Sequence, residues 1–161
     1  MRVHIGTDHA GFELKNRLVK ALGERGHDVV DHGAHSYEPL DDYPPFCTAV
    51  GEAVVAERAA GQDSLGVVIG GSGNGEQIAA NKVRGVRAAL VWNRATAELA
   101  RQHNDANVIS VGARQHSEEE LLELIELFLA TDFSHEERHQ RRIDLVGHYE
   151  TDGTYPQEHH A

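Results

Sequence analysis

GVVIGGSGNGEQIAANK, Gly66 to Lys82, joins two signals that decide the fold. The apolar run SLGVVIG, which ends at Gly70, shows no alternation. That is the pattern of a strand covered on both faces, as in a parallel sheet. It stops at four glycines in six residues, Gly70 to Gly75, and the short helical stretch NGEQIAANKV follows. Working outward, RVHIGTD reads as a first strand, and GFELKNRLVKALGERG as a helix that Gly26 is placed to stop. HDVVDHG reads as a strand, AHSYEPLDDYPP as the longest loop and FCTAVGEAVVAERAAG as a helix. GVRAALVW, RATAELARQHN and NVISVG read as strand, helix and strand. Strands alternating with helices predict an α/β fold, a parallel sheet with helices on both faces. Ligands in such sheets sit beyond the carboxyl ends of the strands. That rule puts Asp8, His9 and the Gly70–Glu76 turn on one functional edge.

Two capping boxes are expected after the last strand, Ser117 with Glu120 and Ser134 with Glu137. The final helix has no strand after it, so it packs either on its own domain or on another subunit. Length and pattern predict one domain over residues 1–150 and a frayed tail over 151–161. The single cysteine, Cys47, precludes an intrachain disulfide and fits a reducing compartment. No apolar run reaches the roughly 18 residues of a membrane span, and the N-terminus lacks a signal-peptide core. The chain reads as soluble and cytoplasmic. A formal charge of −11 argues against nucleic acid or an anionic membrane as the main partner. It leaves room for a small anion held by local positive charge.

Spacing excludes three familiar glycine motifs. A P-loop requires Lys where Glu76 stands. A dinucleotide fingerprint requires wider spacing than Gly71, Gly73 and Gly75 provide. A nucleophile elbow fits Gly70 and Ser72 but meets Asn74 at its closing position. What remains is physical. Glycines let amides approach a ligand, and successive amides at a helix start make an anion site. Glu76 in that first turn is either simple charge complementarity to the helix dipole or a general base beside an oxyanion hole.

Other residues also carry two readings. HEERH, His135 to His139, matches a zinc-protease pattern whose spacing predicts both imidazoles on one helix face. We reject it as a metal site because Arg138, Arg141 and Arg142 would repel a dication and Arg142 stands where a metzincin needs glycine. Arg138 and Arg142, four apart, either fork on a phosphate or form a solvated face with Glu136 and Glu137. Asp8 is a cap or a site acid. His103 and Asn104 close a helix, where a histidine also suits the negative dipole end. Arg114 ends the last strand. Trp92, Phe128 and Cys47 are expected in the core.

Five segments together resemble one family: GTDHAGFELK, DDYPPF, GGSGNGEQIAANKVRGVRAAL, ARQHNDANVISVGAR and RHQRRI, from Gly6 to Ile143. That family is the type B ribose-5-phosphate isomerases with the related galactose-6-phosphate isomerase subunits, and the actinobacterial branch is the nearest in look. The resemblance implies a Rossmann-like three-layer sandwich with five parallel strands. It implies interconversion of ribose 5-phosphate and ribulose 5-phosphate, without metal or organic cofactor, in dimers or higher assemblies that share sites between subunits. It implies that Asp8 and His9 contact substrate, that Gly71, Ser72, Gly73, Asn74 and Gly75 form the amide anion hole, and that Ser72 bonds the sugar. His103 would open the ring, Asn104 would position the sugar, and Arg114, Arg138 and Arg142 would surround the phosphate. Many members use a cysteine at the Gly70 position as base. In the branch resembled here, the glutamate at the Glu76 position takes that role. Another phosphorylated aldose as substrate, or a non-catalytic phosphate-binding module, are the alternative readings.

Overall fold

The computed structural model describes residues 1–156. The chain runs β1 (Arg2–Thr7), a 3-10 turn (His9–Gly11), α1 (Phe12–Glu24), β2 (Asp28–Asp31), α2 (Pro44–Ala59), β3 (Ser64–Gly70) and α3 (Asn74–Ala80). It continues with β4 (Ala88–Leu90), α4 (Arg94–Asn104), β5 (Val108–Gly112), α5 (Glu118–Ala130) and α6 (Glu137–Asp152). The five strands form one sheet in the order β2-β1-β3-β5-β4, with every pairing parallel. The expected α/β sandwich is present.

β3 sits at the centre, and all seven of its residues are buried. Its side chains divide by parity, as a pleated strand requires. Leu65, Val67 and Ile69 join the core under α1, α4 and α5, whereas Val68 joins the core under α2 and α3. Gly66 faces the second layer, where a Cβ would press on Val50, Val54 and Val108. Its missing side chain lets α2 lie close to the sheet. α1 buries Leu14, Leu18 and Leu22 on one stripe, and α5 buries Leu121, Leu124, Ile125 and Phe128. Each such side chain contributes about 1.5–3 kcal/mol by leaving water.

Several elements differ from expectation. β2 and β4 are shorter than their apolar patterns, because both are edge strands held from one side. The Ser117–Glu120 capping box forms. The Ser134–Glu137 box does not: α6 is capped by Glu136 without a side-chain bond, and Ser134 Oγ instead pairs with His139 Nδ1 at 2.7 Å. Phe128 and Cys47 are core residues, but Trp92 is 60% exposed. β4 ends at Leu90, Val91 takes the buried position and Trp92 turns out to solvent. α6 packs mainly on α4. Of the tail expected from Thr151, the first two residues complete α6, Tyr155 stacks on Tyr149, and 157–161 lie outside the described residues. No described helix is long and apolar enough to cross a membrane.

Candidate active site

The strand order reverses between β1 and β3, since β2 lies to one side of β1 and β3 to the other. At that switch point the carboxyl ends of β1 and β3 open a cleft of about 510 Å³. Thr7 ties the two strand ends together by donating to the Ile69 carbonyl at 2.7 Å. Asp8, His9, Tyr43, Glu76 and Arg114 line the cleft, with the backbone of Gly71, Ser72 and Gly75 as its floor.

The floor depends on its glycines in two places. Gly73, with φ of 82°, occupies the left-handed region and caps α3. Gly75 lies against the Tyr43 ring, 2.6 Å from where a Cβ would stand. The amides of Gly71, Ser72 and Gly75 donate to no acceptor among the described residues. Ser72 Oγ accepts from the Asn74 amide at 3.3 Å and from its side chain at 3.2 Å, which shapes the turn.

Glu76 follows in the first turn of α3, and it is 4% exposed. Its carboxyl group fills the space beside Gly70: a Cβ there would overlap Cδ and both carboxylate oxygens. A side chain at residue 70 and this carboxylate cannot coexist. Burial raises the Glu76 pKa above the ordinary carboxyl value, and the Asp8 charge adds to it. The amides of Glu76 itself and of Gly73 pull the other way without prevailing. The contest between helix start and burial goes to burial.

Asp8 is both cap and wall. Its Oδ1 accepts from the Ala10 amide at 2.9 Å, and its side chain borders the cleft. His9 Nδ1 lies 2.8 Å from Asp41 Oδ1, and that bond, against the opposing effect of burial, raises the His9 pKa. Asp8, His9 and Asp41 bring three potential ligand atoms together. The group suits a hydrogen-bonded His9–Asp41 pair with Asp8 beside it better than a cation, because the Nδ1 direction is already taken by Asp41. Arg114 reaches over Gly71 and has no carboxylate partner among the described residues.

The other expected site residues stand at the opposite edge of the sheet. α4 runs back from the end of β4 to the start of β5, and its 11 residues cover about 16 Å. His103 and Asn104 therefore sit near the amino ends of the strands, where Arg87 Nε donates to the Asn104 carbonyl at 2.8 Å. Asp105, with φ of 40°, fixes this corner through Arg58, Arg87 and Arg101. The His103 ring packs on His139 with centroids 4.1 Å apart and planes tilted by 34°, and burial followed by the neighbouring His103 lowers the His139 pKa. Arg138 pairs with Glu136 at 2.7 Å, and Arg142 is exposed. The expectation that HEERH places two imidazoles on one helix face is overturned. His135 precedes α6 in a left-handed conformation and packs on Phe133, while His139 is buried.

The expected site residues thus fall into two separate groups in one chain: Asp8, His9, Glu76 and Arg114 with the glycine turn, and His103, Asn104, Arg138 and Arg142. Tyr43, Gln115 and Asp41 also belong to the first, though the sequence reading assigned them no role. Two of them lie in DDYPPF, a segment whose resemblance was legible and whose contacts were not.

The ribose/galactose isomerase family model matches residues 3–146. A ribose-5-phosphate isomerase B of Mycolicibacterium paratuberculosis is 53% identical over 93% of this chain and 92% of its own length. One from Mycobacterium tuberculosis is 51% identical over 93% and 90%. Among solved structures, ribose-5-phosphate isomerase B of Mycoplasma genitalium with bound ribulose 5-phosphate superposes with a TM-score of 0.87 at 39% identity, covering 94% of this chain and 97% of that one. With a family model matching nearly the whole chain and relatives about half identical to it, the chain belongs to the ribose/galactose isomerase family.

Proposed function

We propose that this chain interconverts ribose 5-phosphate and ribulose 5-phosphate through an enediolate, in sites that two copies complete together. The observation that carries it is the Glu76 carboxyl, buried at the cleft in the space beside Gly70 and next to uncommitted amides. Isomerisation needs a base beside the carbon next to a carbonyl, and donors for the oxygen that becomes negative.

In the open-chain aldose, the Glu76 carboxylate takes the C2 proton. The electron pair forms the C1–C2 double bond, and negative charge collects on O1. The turn amides stabilise that oxygen, and one such donor commonly contributes about 3 kcal/mol. Glu76 then delivers its proton to C1, while the C2 hydroxyl proton passes to O1 as C2 becomes the ketone. Burial gives Glu76 a higher proton affinity than an exposed carboxylate and so makes it a stronger base.

Ring opening and phosphate binding fall to His103, Asn104, Arg138 and Arg142 of a second copy. α4 separates them from Glu76 of their own chain by the length of the sheet. Exposed Val146 and Tyr149 on α6, and Ile78 on α3, supply apolar surface for that association. The test is an isomerase assay with ribose 5-phosphate and allose 6-phosphate side by side. Turnover of the pentose phosphate, abolished in Glu76→Gln while sugar-phosphate binding persists, is the expected result. Retained turnover in that variant would remove the glutamate from the chemistry.

A further inference from the structure

Asp41, in the loop before α2, makes contacts that the steps above do not use. One of its carboxylate oxygens, Oδ1, accepts twice from His9: from the main-chain amide at 2.8 Å and at ring Nδ1 at 2.8 Å. Its other oxygen, Oδ2, is buried and meets no partner among the described residues. His9 is therefore the one side chain that its charge serves. Asp8 Oδ2 stands 3.8 Å from the same Nδ1, beyond hydrogen-bond reach. A carboxylate only accepts, so the proton of this contact lies on Nδ1. The remaining nitrogen, Nε2, has no partner among the described residues, on a ring that borders the cleft.

We propose that Asp41 is a positioning residue: it fixes the His9 ring and keeps it a cation, so that Nε2–H donates to the anionic end of the sugar phosphate. The inference rests on the reading of the cleft as a sugar-phosphate site. The charge balance of the cleft supports it. Asp8 and Glu76 face His9 from β1 and α3, Tyr43 faces it from the start of α2, and Arg114 is the fixed cation that this chain brings to the cleft. A phosphate ester entering beside two carboxylates gains from a second cation on this side of the site, and a charged imidazole adds to Arg114 and to the arginines that the second copy brings. Hydrogen bonding to Asp41, with a smaller contribution from Asp8, raises the His9 pKa in the direction this role requires. Burial opposes it.

Asp41→Asn tests the inference, because asparagine keeps an acceptor for the His9 amide and removes the charge. An NMR titration of the full-length protein should show His9 losing its proton at lower pH. KM for ribose 5-phosphate should rise about tenfold above neutral pH while kcat changes little, since binding rather than proton transfer is weakened. The basic limb of kcat/KM should move to lower pH. In a His9→Gln background, Asp41→Asn should add almost nothing. An unshifted His9 titration, or equal losses with and without His9, would overturn the proposal. The titration needs no substrate, so it reads the Asp41–His9 coupling separately from the isomerase assay. Absence of wild-type turnover would instead sink the functional reading on which the proposal stands.

Discussion

Gly70→Ala is the smallest change that strikes at the proposed base, Glu76. Gly70 is not among the residues with positive φ, so alanine imposes no backbone penalty there. Its Cβ would, however, overlap the Glu76 carboxyl. Ordinary contact starts at 3.4 Å, so the carboxyl must withdraw by well over an ångström. A displacement of about 1 Å from reactive geometry costs on the order of 100-fold in rate. Overfilling a packed site also costs about 1–3 kcal/mol, and each kcal/mol lowers Tm by about 2–4 °C in a chain of this size. The assay is kcat for ribose 5-phosphate beside a thermal melt, in wild-type and Glu76→Ala backgrounds. Glu76→Ala empties the contested volume, so Gly70→Ala should lose most of its stability penalty there. Full activity in Gly70→Ala, or the same destabilisation in both backgrounds, would refute the claim that one volume serves both positions.

Glu76→Gln should melt higher than wild type at neutral pH. Burial raises the folded-state pKa, so the stability linked to the Glu76 proton is full below the ordinary carboxyl value and is lost as pH rises through the raised one. Glutamine removes that loss, and an unchanged or lower Tm would contradict it. Glu57 behaves in the opposite sense: burial pushes its pKa up, but hydrogen bonds from Arg2 and His4 outweigh this and hold it at about 2. Its contribution is present above the ordinary value near 4.5 and fades as pH falls toward about 2. Glu57→Gln should therefore flatten the acid limb of the stability curve, as read by urea melts at stepped pH. Mixing inactive Glu76→Gln and His103→Ala chains should restore about a quarter of wild-type activity, because half of random dimers carry one intact site of two. No recovery would place the whole site within one chain.

The sheet was legible because β3 is apolar without alternation, a pattern that only a doubly covered strand can afford. The site edge followed from that sheet. The glycine turn singled out Glu76, and the family resemblance chose a base over simple complementarity to the helix dipole. Gly70 makes room for it, a fact of volume that no spacing rule reports. Trp92 was misplaced because bulk argues for burial, whereas its neighbour Val91 took the core position at the end of β4. The start of α6 was misread because Ser134 has the composition of a cap but spends its hydroxyl on His139, from the next turn. Asp41 stood in the matching segment DDYPPF, but no residue pattern assigned its role. Its meaning lies in a contact 32 residues distant, made by folding a loop back over the first strand.

Cys47 has one more consequence. Its thiol is fully buried, and burial, with Glu76 and Asp8 nearby, pushes its pKa up to about 12. Thiolate is the species that peroxides and alkylating agents attack, and at neutral pH almost none exists here. An isomerase that works through a cysteine is silenced by such reagents. If Glu76 is the base proposed here, this chain, with its single sulfhydryl sealed on the inner face of α2, should keep turning over after treatment with peroxide or iodoacetamide.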